Sequence, residues 1–129
     1  MPDKDTASAP MGASLSMRAV ACKRFRLMPG MVGRCGWRVK YVSLDGSVDW
    51  GEEWTVRPDS IGDWLPDFDD PATLGCLLAL VREAWGDRSI VILRASNGWY
   101  PSSRTADMRG VYGYASELEA LIAALEAAP

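Results

Sequence analysis

The stretch DPATLGCLLALVREAWG, Asp70 to Gly86, reads as an α-helix with both ends specified. Asp70 is a favoured N-cap residue, because its short carboxylate can accept from the first unpaired backbone N–H groups. Pro71 fits the first helical position, where a missing N–H leaves nothing unsatisfied. Leu74, Leu77, Leu78, Val81 and Trp85 recur at i, i+3, i+4, i+7 and i+11 and make one apolar stripe. Gly86 takes the left-handed conformation that ends such a helix. A helix with one apolar stripe needs a surface to cover, and the flanking sequence supplies candidates on both sides.

Downstream, Ile90-Val91-Ile92-Leu93 is a short continuous apolar run, the pattern of a central strand. Ser96-Asn97-Gly98 is a turn, and Trp99-Tyr100 opens a partner strand that Pro101 limits. Residues 102–110 read as a loop and 111–114 as a last short strand. Ser116 with Glu119 forms a capping box, and Leu118, Leu121, Ile122 and Leu125 follow at helical spacing.

Upstream, Trp37, Val39 and Tyr41 alternate with Arg38 and Lys40, the period of a half-buried strand. Asp45-Gly46 is a hairpin signal. Val48, Trp50, Trp54 and Val56 then share a face of one second strand, with a bulge near Gly51 to absorb Glu52. Residues 29–36, with one proline and three glycines, are a loop. Residues 17–27 admit a strand or a short helix. Residues 1–16 have one large aliphatic side chain, Leu15, and read as a flexible N-terminal tail before a single domain at 17–129. The expected fold is α+β, a small antiparallel sheet with two helices packed on it, in the order (β)ββ-α-β(ββ)-α.

At 129 residues, 48% apolar and 24% charged, the chain has the composition of one globular domain. Its net charge of −3 is unevenly spread. Seven basic residues and no acid lie between Arg18 and Lys40, and nine acids with only Arg57 lie between Asp45 and Asp70. Either the two stretches neutralise each other across a sheet or one of them meets a charged partner. Three cysteines, Cys22, Cys35 and Cys76, form no CxxC pair, which points to free thiols and a cytoplasmic setting. No stretch approaches the ~20 apolar residues of a membrane helix, and the N-terminus carries no signal-peptide core.

There is no histidine, which removes the common Ser-His and Cys-His nucleophilic sites and every zinc site needing imidazole. Gly30, Gly33 and Gly36 lack the Lys-Ser/Thr that a phosphate loop requires. Asp67, Asp69 and Asp70 suit either a metal or acid–base role or, more simply, the positive end of a helix. Six tryptophans stand out. Trp37, Trp50 and Trp85 fall on inferred inward faces, whereas Trp64, between Asp63 and Leu65, suits an exposed anchor. Arg38 and Lys40 fall on the strand face opposite Trp37 and Tyr41, a poor platform for stacked bases.

Asp69 to Asp87, together with SELEALIAALEAAP at Ser116 to Pro129, resembles small proteins encoded by phages and prophages of proteobacteria. The resemblance covers about the last 60 residues. It implies a two-helix α/β sandwich, brings no catalytic residue, and implies an accessory protein that acts on host machinery. The expectation is therefore a stoichiometric binder, not an enzyme, with no cofactor or metal. Its partner would be a host protein complex such as a CRISPR–Cas defence system, and its binding residues Asp63, Trp64, Asp67 and Asp69. The alternatives are a nucleic-acid-binding accessory protein using residues 18–40, and a carboxylate- or metal-dependent enzyme around Asp67 and Asp69.

Overall fold

A computed structural model describes residues 11–33, 38–45, 48–49, 55–56, 65–108 and 110–129. The fold is α+β: the described residues form three helices, α1 (Met11–Ala21), α2 (Pro71–Trp85) and α3 (Glu117–Glu126), and five short strands. Strands β1 (Tyr41–Val42), β2 (Val48–Asp49) and β3 (Thr55–Val56) form one antiparallel sheet, and β4 (Val91–Ala95) with β5 (Gly98–Ser102) a second. No described helix is long and apolar enough to cross a membrane.

The ends of α2 form as their residues dictate. The Asp70 side chain accepts from Thr73 N–H at 3.0 Å, Pro71 opens the first turn, and Gly86 closes the helix at φ 64°. The buried face is rotated from the expected stripe. Thr73, Leu77, Leu80, Val81 and Ala84 are buried, whereas Leu74, Leu78 and Trp85 are half-buried. Thr73 belongs inside because its hydroxyl accepts Val32 N–H at 2.8 Å, which brings the polar side of the first turn against the segment around Met31. Trp85 remains at the boundary, where its indole N–H reaches the Ala124 carbonyl at 2.8 Å.

Helix α3 is capped by Ser116, which accepts Glu119 N–H at 3.1 Å, while the Glu119 carboxylate reaches back to Ala115 N–H. It buries six consecutive residues, Ala120 to Leu125, because α1, α2 and the β4–β5 hairpin all pack around it. The core joins these to Leu77, Leu80, Val81 and Ile90, and to Met31, Val39 and Val48 from the N-terminal half.

Several expectations are corrected. Residues 11–21 are helical, so residues 11–16 of the expected flexible tail are part of a helix; Ser16 is buried there, its hydroxyl donating to the Pro66 carbonyl at 2.7 Å, and Leu15 packs on the core. Of the two readings of residues 17–27, a strand or a short helix, the helical one holds for 17–21, the end of α1. The strands lie in two sheets, and the expected single strand over 48–56 is replaced by β2 and β3, paired antiparallel with Val48 opposite Val56; the bulge expected near Gly51 lies outside the described residues. Residues 111–114 contribute only a bridge, Trp99↔Tyr114. The apolar run at 90–93 is not central: Val91 and Leu93 are 41% and 42% exposed, because β5 is the one strand beside β4 among the described residues. Gly98 explains the tight seat of the 113–114 segment, since a Cβ there would lie 2.6 Å from the Tyr114 carbonyl oxygen.

The rotated face of α2 yields a direct comparison. Leu77→Ala should destabilise the protein by about 2–5 kcal/mol through transfer and cavity terms. Leu78→Ala should cost clearly less, about 1 kcal/mol. Urea melts of the two variants check the assignment, and equal losses would contradict it.

Candidate functional site

The residues expected to bind a partner lead into α2. Asp63 and Trp64 lie outside the described residues, as do Trp37, Trp50 and Trp54. From Leu65 onward the segment is firmly held. Pro66 is buried and bridges to Gly33, and Asp67 N–H donates to the Val32 carbonyl at 2.8 Å. The Asp67 carboxylate is half-buried and accepts Asp69 N–H at 3.1 Å. Asp69 is exposed. Thus the two aspartates sit in one turn, with Asp69 facing water and Asp67 partly committed to the backbone.

Asp70 has a different task. Arg38 grips it with two hydrogen bonds of 3.0 Å each, while Thr73 donates both its backbone N–H and its hydroxyl. The Arg38 guanidinium, and after it Thr73, hold the Asp70 carboxyl well below the usual carboxylate range. Arg38 also donates to the Gly30 carbonyl at 2.5 Å, so this pair ties the 28–33 and 38–42 segments to the start of α2.

Three arginines of the basic segment are paired within the chain. Arg18 pairs with Glu126 and Arg26 with Glu83, each at 2.6 Å, Arg38 with Asp70 at 3.0 Å, and Arg24 donates to the Pro129 carbonyl. Only Asp70 among these acceptors belongs to the acidic stretch. Among the described ion pairs, helix residues Glu83 and Glu126 take two of the arginines and Asp70 takes the third. Among the described residues, Asp67 and Asp69 take part in no ion pair.

A polar cluster that the sequence reading missed lies at the other end of α2. Asp87 is buried and accepts from Ser89 N–H at 2.8 Å, from the Ser89 hydroxyl at 2.5 Å, from the Thr105 hydroxyl at 2.8 Å and from the Ser103 hydroxyl. The Ser103 hydroxyl in turn accepts from Thr105 N–H and Ala106 N–H. These donors, Ser103 foremost, hold the Asp87 carboxyl well below the usual carboxylate range. The visible signal was the Asp87-Arg88-Ser89 order after the Gly86 cap, an Asx-turn pattern. Beside the cluster opens a cleft of about 580 Å³ bordered by Tyr100, Arg104, Asp107 and Tyr112.

The chemistry open to these groups is limited. A carboxylate with depressed basicity and filled lone pairs is a poor proton acceptor near neutrality. Burial pushes the thiols of Cys22 and Cys76 up, which keeps them in the less nucleophilic protonated form. No group of three or more His, Cys, Asp or Glu side chains among the described residues is arranged to hold a metal ion. Asp69 presents its charge and hydrogen-bond acceptors to solvent. No family model, curated protein or solved structure matches the chain.

The Asp87 cluster carries a pH signature. Its folded pKa lies below the unfolded carboxylate value of about 3.9, so its stabilisation is present above that pH and is lost as pH falls toward the folded value. Asp87→Ala should melt lower than the wild type at pH 7, and the gap should narrow between about pH 5 and pH 2. Circular dichroism melts across that range decide it; a constant gap would show that the charge of Asp87 is not what matters.

Proposed function

We propose that the protein acts by stoichiometric binding to a protein complex, using the acidic segment before α2 against a basic surface. Asp63, Trp64, Asp67 and Asp69 form the contact, Trp64 as the apolar anchor. The observation that carries this reading is the lopsided neutralisation of charge: Arg18, Arg26 and Arg38 are paired inside the chain, whereas Asp69 faces solvent unpaired. An unpaired acidic surface steers encounter with a basic partner and repels phosphate backbones. The same observation weighs against nucleic-acid binding through residues 18–40, because a paired arginine is a weaker phosphate ligand. The filled lone pairs of Asp70 and Asp87 favour binding over catalysis. The likeness of Asp69–Asp87 and Ser116–Pro129 to phage and prophage proteins of proteobacteria suggests a host complex as the partner. Inhibition of an anti-phage defence system in the bacterial cytoplasm is the role that fits best.

The test is capture from a proteobacterial lysate followed by mass spectrometry, comparing wild type with a variant in which Asp63, Asp67 and Asp69 are all changed to Lys. The same partner should be enriched by the wild type and lost by the variant, while both melt cooperatively. Asp70 stays intact, since its loss would remove a helix cap. Trp64→Ala should weaken binding of that partner by more than about 1 kcal/mol. Equal capture by the triple variant, or salt-dependent retention of the wild type on DNA, would overturn the reading.

A further inference from the structure

The β4–β5 hairpin has two edges, and they are managed differently. The outer edge of β5 is closed: Trp99 N–H donates to the Tyr114 carbonyl at 2.8 Å, Tyr114 N–H returns the bond at 3.1 Å, and Pro101 has no N–H to offer. Since Trp99 points its backbone groups away from β4, its cross-strand neighbour Arg94 points its own away from β5. Ile92, opposite Pro101, shares that parity. Ile90 does too, and its carbonyl is covered by Arg82 Nε at 2.9 Å. The N–H and C=O groups of Ile92 and Arg94 are left without a backbone partner among the described residues.

Edge strands that remain single are usually blunted by Lys, Pro or a bulge. In β4 the outward face carries Val91, Leu93 and Ala95, all exposed, and the one charge in the strand, Arg94, is drawn over the Trp99 ring at 5.8 Å. Alongside the edge runs a groove of about 300 Å³ between α2 (Leu74, Leu78), β4 (Val91, Ile92) and α3 (Glu117). It exists because two strands, spaced about 4.8 Å, cannot roof two packed helices whose axes lie about 8–10 Å apart.

We infer that β4 pairs antiparallel with β4 of a second copy of this chain about a two-fold axis at Leu93. In that register Leu93 meets Leu93 of the second copy, Val91 meets Ala95, and Ile92 exchanges both backbone hydrogen bonds with Arg94. Charge complementarity selects this occupant. The acidic end of the groove, Glu117, lies by the start of β4, and Arg94 lies near its end on the same face as Ile92. Antiparallel pairing carries Arg94 of each copy opposite Ile92 of the other, beside Glu117. The two α2 helices bring their half-buried Leu74 and Leu78 together beneath the continuous sheet, and the exposed Gly75 permits close approach. The contact is isologous, the commonest symmetry of protein dimers. It is independent of whatever partner the acidic segment takes.

The experiment is sedimentation of the full chain from about 1 µM to about 1 mM, the latter being the weak end of specific association. A mass rising to twice the 14.1 kDa chain is expected. Leu93→Lys, on an exposed site, should raise the dissociation constant by about tenfold or more, as should Arg94→Glu and Glu117→Arg singly. The double variant with Arg94→Glu and Glu117→Arg should recover the wild-type constant, which a merely structural role for either residue would not produce. Hydrogen exchange should show the Ile92 and Arg94 amides protected in the dimer and open on dilution. A monomer at all concentrations overturns the inference. So does a dimer indifferent to Leu93→Lys, or a charge swap that fails to restore association.

Discussion

Six consecutive buried residues, Ala120 to Leu125, are more than a helix lying on one surface can hide. The C-terminal helix must therefore be enclosed, and the rest of the chain is arranged to enclose it. α1 lies on one side and α2 on another, and β4 and β5 cover a further face. The small side chains of Ala120, Ala123 and Ala124 let these neighbours come close, while Leu121, Ile122 and Leu125 supply the bulk. An ion pair extends this attachment outward, from Arg18 to Glu126, and the Trp85 indole reaches the α3 backbone itself.

Two carboxylates close the junctions of α2. Asp70 joins its first turn to the N-terminal segments through Arg38, and Asp87 joins the loop beyond its end to the chain after β5 through three hydroxyls. In both, the oxygens are taken by several donors, which lowers their proton affinity. What would look like a reactive aspartate in isolation is a structural clasp.

These clasps also shape the surface. The first of them takes up Arg38 and Asp70, while Asp67 and Asp69 in the same turn take part in no ion pair among the described residues. The surface is thus acidic before α2 and apolar along β4, two regions with different chemistry. An acidic turn favours a basic partner through long-range attraction, whereas an open strand edge favours a partner of matching backbone geometry.

Local chemistry was legible in the sequence. The ends of α2 and the Ser116 cap were readable because capping depends on residues within one turn of each other. The antiparallel pairing of β1 with β2, on either side of Asp45, agrees with the hairpin read there, and the apolar run at 90–93 does enter a strand. Which side of α2 faces inward was not legible. Leu74, Leu77 and Leu78 are equivalent to a periodicity argument, and a hydrogen bond from Val32, distant in sequence, brings Thr73 inside. The helix at Met11–Ala21 was hidden because its stretch is rich in Ala and Ser, and the buried Ser16 meets the carbonyl of Pro66, distant in sequence, only in the folded chain. Of the expected binding residues, Asp67 and Asp69 were readable as acids, but their differing exposure depends on how the turn folds. The Asp87 clasp needed Ser103 and Thr105, brought to it only when β4 and β5 pair. The sequence by itself determined the caps, the turns and the supply of charge, because those act over a few residues. Only the tertiary structure decided which charges cancel and which strand edge stays open, because both depend on segments that meet through the enclosure of α3.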